Sequence, residues 1–257
     1  MQVPPKLYKY QPYKALSIRN LENNQIFFSQ PVNFNDPFDC RLSFFKASPT
    51  EQNYLKLAKI YSDGICQGKK LPKKYLTNGK INDAFRKEVD AIQEQTIKTR
   101  NRQIRYEGGV ACFSAKRDDI LMWAHYAKGH HGFCLEFDTT YEPFMNARKV
   151  HYTSKLPKVN VLKVILHEIS PEKQFRRMTT AKYKSWKYEQ EWRILLHDER
   201  PYTYVPKALT GIYFGSEMKF KHQKNIASIV RGQNPTVKFY RGKRDTESFH
   251  LDFELVD

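Results

Sequence analysis

Apolar residues alternate with polar ones in short runs near both ends of the chain, and fall at helical spacing in a long stretch between them. Leu7-Tyr8-Lys9-Tyr10 and Ile26-Phe27-Phe28-Ser29 read as strands, with a short helix between them from about Tyr13 to Asn20. From Pro49 to Arg105 helix formers take over, in the runs Thr50 to Tyr61 and Asn82 to Arg105, divided by the turn Gly68-Lys69-Lys70-Leu71-Pro72-Lys73-Lys74. Strand signals return after Gly108: Val110 to Ser114, Gly132 to Asp138, Val150 to Tyr152, Tyr188 to Leu196, Ile212 to Phe214, Ser228 to Val230, Lys238 to Tyr240 and Phe249 to Leu255. The pattern predicts an α+β fold in one domain over residues 1–257, with a basic helical insertion over 49–107.

One run carries unusual chemistry. In Lys184-Ser185-Trp186-Lys187-Tyr188-Glu189-Gln190-Glu191-Trp192-Arg193-Ile194, an extended backbone throws Glu189, Glu191 and Arg193 to one face and Tyr188, Trp192 and Ile194 to the other. Two carboxylates in a row repel unless a cation sits on them, and Arg193 is the nearest one. Either the row is a half-exposed surface ion pair, which contributes little, or it is a site.

Two further constellations carry polar groups among aromatics. Phe34-Asn35-Asp36-Pro37-Phe38-Asp39 combines turn formers with flanking phenylalanines. It reads as a rigid turn, or as a cleft lip where Asn35 and Asp36 bind ribose hydroxyls or an amide. Cys112-Phe113-Ser114 is followed by Asp118-Asp119-Ile120-Leu121-Met122-Trp123-Ala124-His125-Tyr126-Ala127, a helix that Asp118 would cap, with Ile120, Leu121, Ala124 and Ala127 as its apolar stripe. His125 falls near the helix end, as a structural residue favoured by the dipole or as a general base. His125, His130 and His131 are not spaced to share one face, so no metal site is expected.

Charge narrows the partners. Lys and Arg number 44 against 27 Asp and Glu, a formal charge of +17, which favours a polyanionic partner and places nucleic acid first. No long apolar run or basic amphipathic anchor points to a membrane. The start, Met1-Gln2-Val3-Pro4-Pro5-Lys6, has no apolar core of a signal peptide, and Cys40, Cys66, Cys112 and Cys134 have no paired spacing, so a cytoplasmic protein with reduced thiols is expected. Lys69, Lys70, Lys73, Lys74, Arg100, Arg102 and Arg105 around the insertion, and Arg176, Arg177, Lys182 and Lys184 before the Glu-x-Glu run, are the candidate phosphate-backbone contacts.

The ordered motifs Phe28-Ser29-Gln30-Pro31 into Phe34–Asp39, Cys112-Phe113-Ser114, Met122-Trp123-Ala124-His125-Tyr126-Ala127 and Trp186 to Arg193 resemble a bacterial and phage family of unknown function. More distantly, a first strand rich in aromatics, a second strand with an exposed serine and a late Glu-x-Glu strand are similar to the ADP-ribosyltransferase superfamily. That resemblance implies a split mixed or antiparallel sheet, NAD as substrate, and a cytoplasmic toxin or defence effector modifying nucleic acid, with an antitoxin or partner defence protein. It makes Glu191, Glu189 and His125 the catalytic group. Tyr8, Tyr10, Ser29, Asn35, Asp36, Ser114, Tyr126 and Arg193 become the NAD-binding group. Lys9 or Tyr10 stands where the superfamily carries His or Arg. Two alternatives stay open: a metal-dependent nuclease using Asp36, Asp39, Glu189 and Glu191, and a non-catalytic nucleic-acid-binding or sensor module.

Overall fold

Eight strands form the central sheet of the computed structural model, which describes residues 2–64, 67–68 and 70–256. They are β1 (Lys6–Gln11), β2 (Gly109–Ser114), β3 (Phe133–Asp138), β4 (Arg148–Lys149), β5 (Glu191–Leu196), β6 (Leu209–Phe214), β7 (Lys238–Arg244) and β8 (Leu251–Val256). Across the sheet the order is β8-β7-β6-β3-β1-β2-β5-β4. The β6–β7 pair is parallel and the other pairs are antiparallel. The helices are α1 (Ala15–Glu22), α2 (Glu51–Gly64), α3 (Asp83–Ile104), α4 (Ile120–Tyr126), α5 (Val161–Ile165), α6 (Pro171–Thr179) and α7 (Phe220–Arg231).

Strand alternation divides the sheet into two unlike faces. Leu7, Ala111, Phe113, Phe137, Trp192, Ile194, Ile212 and Phe239 point to the main core, which Leu21 of α1 and Ile226 and Val230 of α7 cover. The opposite face carries Tyr8, Tyr10, Cys112, Ser114, Cys134, Glu191 and Arg193, with α4 laid over part of it through Met122 and Trp123. Gly132 lets the chain after α4 run against β1, because a β-carbon there would overlap the carbonyl oxygen of Gln11.

The pairing in the middle of the sheet is short. β1 pairs with β3 over six residues and β2 with β5 over six, yet β1 and β2 meet only at Tyr8 opposite Ser114. Where they part, Lys9 Nζ donates to the carbonyl of Cys112 at 3.0 Å and lies 5.0 Å from the Phe113 ring centre.

Helices α2 and α3 fall within the expected insertion and share a small core of Tyr54, Leu57, Tyr75, Phe85 and Val89 with Leu162 and Leu166 from the α5 region. The Asn101 side chain ties α3 to the body by bonding both the N–H and the C=O of Leu42.

Some expectations fail here. Ser228 to Val230 is helix, not strand: Ile226 and Val230 bury together at a four-residue spacing, and this helical period outweighs the local β-branched content. The last strand begins at Leu251, and Phe249 is exposed. Cys66 and Lys69 lie outside the described residues; Cys40, Cys112 and Cys134 are free thiols. Among the described residues no helix is long and apolar enough to cross a membrane.

Candidate functional site

β5 does not extend back to Tyr188 as alternation predicted. Lys184–Glu189 form a short 3-10 turn, and Gln190, at φ 44°, reverses the chain through the left-handed region before the strand opens at Glu191. Ser114 Oγ fixes the turn by donating to the Glu189 carbonyl at 2.6 Å, and the Gln190 carbonyl accepts from Ala115 N–H at 3.1 Å. Glu189 and Glu191 therefore converge because of a kink, with Lys182 between them. Its ammonium donates to Glu189 Oε2, and to Glu191 Oε2 at 3.1 Å.

Arg193 completes the cluster. It donates to both oxygens of Glu191, at 2.7 and 2.9 Å, to both oxygens of Asp39, at 3.1 and 2.7 Å, and to the carbonyl of Thr179 at 2.8 Å. This planar fork spans three elements: β5, the end of α6 and the turn at Asp39. Asp39, Lys182, Glu189, Glu191 and Arg193 are all buried, so the row is not a half-exposed surface pair. Three carboxylates against two cations leave an excess of one negative charge when all are ionised. Burial of one such group without a partner is expensive, so the arrangement stands or falls as a unit.

The two glutamates are pushed apart in acidity. Burial raises the Glu189 carboxyl above the ordinary carboxylate range, with Glu191 adding to the rise against the pull of Lys182. Burial acts on Glu191 in the same sense, but Arg193 and Lys182 outweigh it and hold its pKa at about 2. Tyr126 donates to Glu189 Oε1 at 2.6 Å, and the Glu191 N–H donates to the Tyr152 hydroxyl at 2.8 Å.

Where β1 and β2 diverge lies a cavity of about 370 Å³ lined by the cluster together with Tyr8, Lys9, Tyr10, Asn35, Cys112, Ser114, His125 and Tyr126. Asn35, His125, Tyr126, Ser114, Tyr8, Tyr10 and Arg193 thus meet Glu189 and Glu191 in one place. Both tyrosine hydroxyls of β1 are engaged, Tyr8 on Glu136 and Tyr10 on the Lys116 carbonyl, and both side chains are buried, lining the space with little of their surface. His125 is exposed at the rim, its ring centre 6.2 Å from that of Trp186.

Asp36 lines a second, adjoining cavity of about 600 Å³ that shares Asn35 and Lys182 with the first. One of its oxygens accepts Phe38 N–H at 2.8 Å and the other accepts Trp186 Nε1–H at 2.9 Å, so the rigid turn and the cleft lip are the same feature.

Other expected residues sit elsewhere. Ser29 lies outside the cavity, paired through its backbone with Val110 where the Gln25–Phe28 strand ends; that strand bonds to Arg200–Thr203 and not to the central sheet. Lys182 is buried in the ion cluster and cannot grip a backbone from the surface. Arg100 pairs with Glu107 at 2.7 Å, and Arg105 donates to the Pro31 carbonyl at 3.1 Å. Arg102, Arg176, Arg177, Lys184, Lys70, Lys73 and Lys74 are exposed. The α4 cap is Asp119, which accepts from Leu121 and Met122 N–H at 3.0 and 3.1 Å, and not Asp118. The buried face of α4 is Met122, Trp123 and then Ala127; Leu121 and Ala124 face solvent. Asp39, Lys182 and Tyr152 are the polar partners that sequence reasoning gave other roles or passed over.

Residues 122–194 match the family model described as Protein of unknown function (DUF2971). The matched stretch runs from α4 into β5 and holds His125, Tyr126, Lys182, Glu189, Glu191 and Arg193; Tyr8, Tyr10, Asn35, Asp36, Asp39 and Ser114 lie before it. No curated protein and no solved structure matches the chain.

Proposed function

We propose that the chain is a glycosyl-transfer enzyme of the ADP-ribosyltransferase kind, taking NAD as donor and nucleic acid as acceptor. The observation that carries this reading is a pair of glutamates, brought together in one cavity where β1 and β2 diverge, whose acidities are driven apart by their surroundings. In the reaction the bond from ribose C1′ to the nicotinamide nitrogen breaks, and its electron pair leaves on nicotinamide. The acceptor's lone pair forms the new bond to C1′. Glu191, kept ionised and oriented by Arg193 and Lys182, faces the positive charge that develops on the ribose. Glu189, the more basic carboxylate, takes the acceptor's proton and passes it to water, with Tyr126 holding its orientation. Tyr8 and Tyr10 border the space that nicotinamide would enter. His125 stands at the rim, where an entering acceptor passes.

The nuclease alternative fits less well, because Asp39, Glu189 and Glu191 already face Lys182 and Arg193 where metal ions would stand. The same complete pairing favours a second reading, a nucleic-acid-binding module in which the cluster is purely structural.

Incubation with adenylate-labelled NAD and a mixture of DNA, RNA and protein separates them. Transfer predicts nicotinamide release and label on nucleic acid, and a rate loss of roughly 100-fold or more in a folded Glu191→Gln variant. Binding to nucleic acid with no release of nicotinamide supports the structural module and ends the transferase reading.

A further inference from the structure

The cavity beside the ion cluster has features that the glycosyl-transfer reading does not use. Its lining includes Phe38, Leu156, Tyr183 and Trp186, and three of these are strongly exposed: Phe38 at 69%, Tyr183 at 49% and Leu156 at 43%. Grouped apolar surface left in water marks a place that something covers. The fourth, Trp186, is fixed: its indole N–H is held by Asp36, the Lys182 ammonium lies 5.0 Å from its ring centre, and its ring neighbours His125. The lobe adjoins the space over Glu189 and Glu191, with which it shares Asn35 and Lys182.

The polar groups suit one kind of occupant. Asp36 is the acidic residue of the lining, and both its oxygens are spent on Phe38 N–H and Trp186. Lys155 lines the lobe, the Arg41 guanidinium stands 6.0 Å from the Phe38 ring centre, and exposed Lys184 follows Tyr183. Asn35, shared by both cavities, offers an amide to the edge of a ring. Aromatic platforms interleaved with cations are how proteins hold unpaired bases while tracking the backbone.

We infer that this lobe seats an unpaired base of a single-stranded nucleic acid, stacked on Phe38, Tyr183 and Trp186, with Arg41, Lys155 and Lys184 on the flanking phosphates. The inference rests on the proposed reading for its consequence, that the seated base is the acceptor presented to Glu189. The stacking itself is independent of NAD. A duplex would not enter, since its bases are already stacked and paired.

The test uses the full chain and a fluorescein-labelled strand of roughly 12 nucleotides, as DNA and as RNA, against the same sequence as duplex. Anisotropy gives affinity, and Trp186 fluorescence reports occupancy, because Trp123 and Trp192 are buried. The expected result is single-strand preference and a loss of about 10-fold or more in the Phe38→Ala, Tyr183→Ala double variant. Both side chains are exposed, and a melting curve confirms that the variant is folded. The salt slope should stay as in wild type for that variant and fall by roughly 0.7 for each phosphate that Lys155→Glu or Lys184→Glu leaves unneutralised. Unchanged affinity in the aromatic variant, equal binding of duplex, or displacement of the strand by saturating NAD would each overturn the assignment, the last by placing the adenine ring of NAD in the lobe. Nicotinamide release is followed in parallel with wild-type protein. Release without strand binding defeats the base cradle alone, and strand binding without release defeats the NAD reading alone.

Discussion

The insertion and the β5 cluster are built from the same charged residues and use them in opposite ways. Around α2 and α3, Lys46 pairs with Asp90 and Glu94, and Arg86 with Glu51, each pair open to water. At β5, Arg193 and Lys182 face Asp39, Glu189 and Glu191 with almost no solvent between them. Water screens the first set and removes most of its energetic weight. Its exclusion from the second makes each charge depend on all the others. A net charge of +17 says nothing about which cations belong to which set. Lys182 shows this directly: it resembles its basic neighbours in sequence and is the one drawn inside.

Removing one cation from each region tests whether burial is what separates the two sets of charges. Arg193→Met leaves Asp39 and Glu191 buried and facing each other, and should cost about 3–5 kcal/mol in denaturant unfolding. Arg86→Ala, at the open pair with Glu51, should leave the melting temperature as in wild type. Equal effects would mean that the cluster is wetter than its geometry implies.

Acid unfolding sharpens the same contrast. Glu191 has a folded pKa of about 2 against an ordinary value of 4.5. A lowered carboxyl pKa contributes stability that is present above the unfolded value and is lost as pH falls toward the folded one. The wild-type chain should therefore lose roughly 3 kcal/mol between about pH 4.5 and pH 2 from this group. Glu191→Gln should lack that limb of the curve. Glu189 has the opposite sign: its contribution is present below its unfolded value and lost as pH rises through its raised folded value. Glu189→Gln, which also removes the excess negative charge, should consequently be the less damaging of the two at neutral pH, as read by urea midpoints.

How much of this was legible in the sequence depends on the range of the interaction. Strands β1, β2, β3 and β5 follow from alternation, because each carries one apolar face regardless of its neighbours. The grouping of Glu191 with Arg193 was visible for the same reason. The approach of Glu189 was foreseen by the wrong route: alternation was assumed, whereas Gln190 breaks the strand in a left-handed conformation that no glycine or asparagine announces. Asp39 reaches the cluster through a pairing 154 residues away, which no local period encodes, and Lys182, 7 residues from Glu189, reaches it across the 3-10 turn that alternation does not predict. Ser228 to Val230 fails in the other direction, since a three-residue window cannot tell a buried helix turn from a strand.

A slight effect belongs to Lys46 at the edge of the insertion and is read through salt. Lys46 is held by Asp90 at 2.9 Å and Glu94 at 3.1 Å, with all three side chains substantially exposed. Lys46→Ala should show a slight loss of melting temperature at low ionic strength, because the pair is then unscreened. Near 0.15 M salt the Debye length falls to about 8 Å and the difference from wild type should shrink. Arg193→Met should keep its full deficit at both salt concentrations, since mobile ions do not enter a cluster from which water is excluded. If the Arg193→Met deficit shrinks with salt as the Lys46→Ala deficit does, the two regions differ only in degree, and burial is not what makes the β5 charges act as a unit.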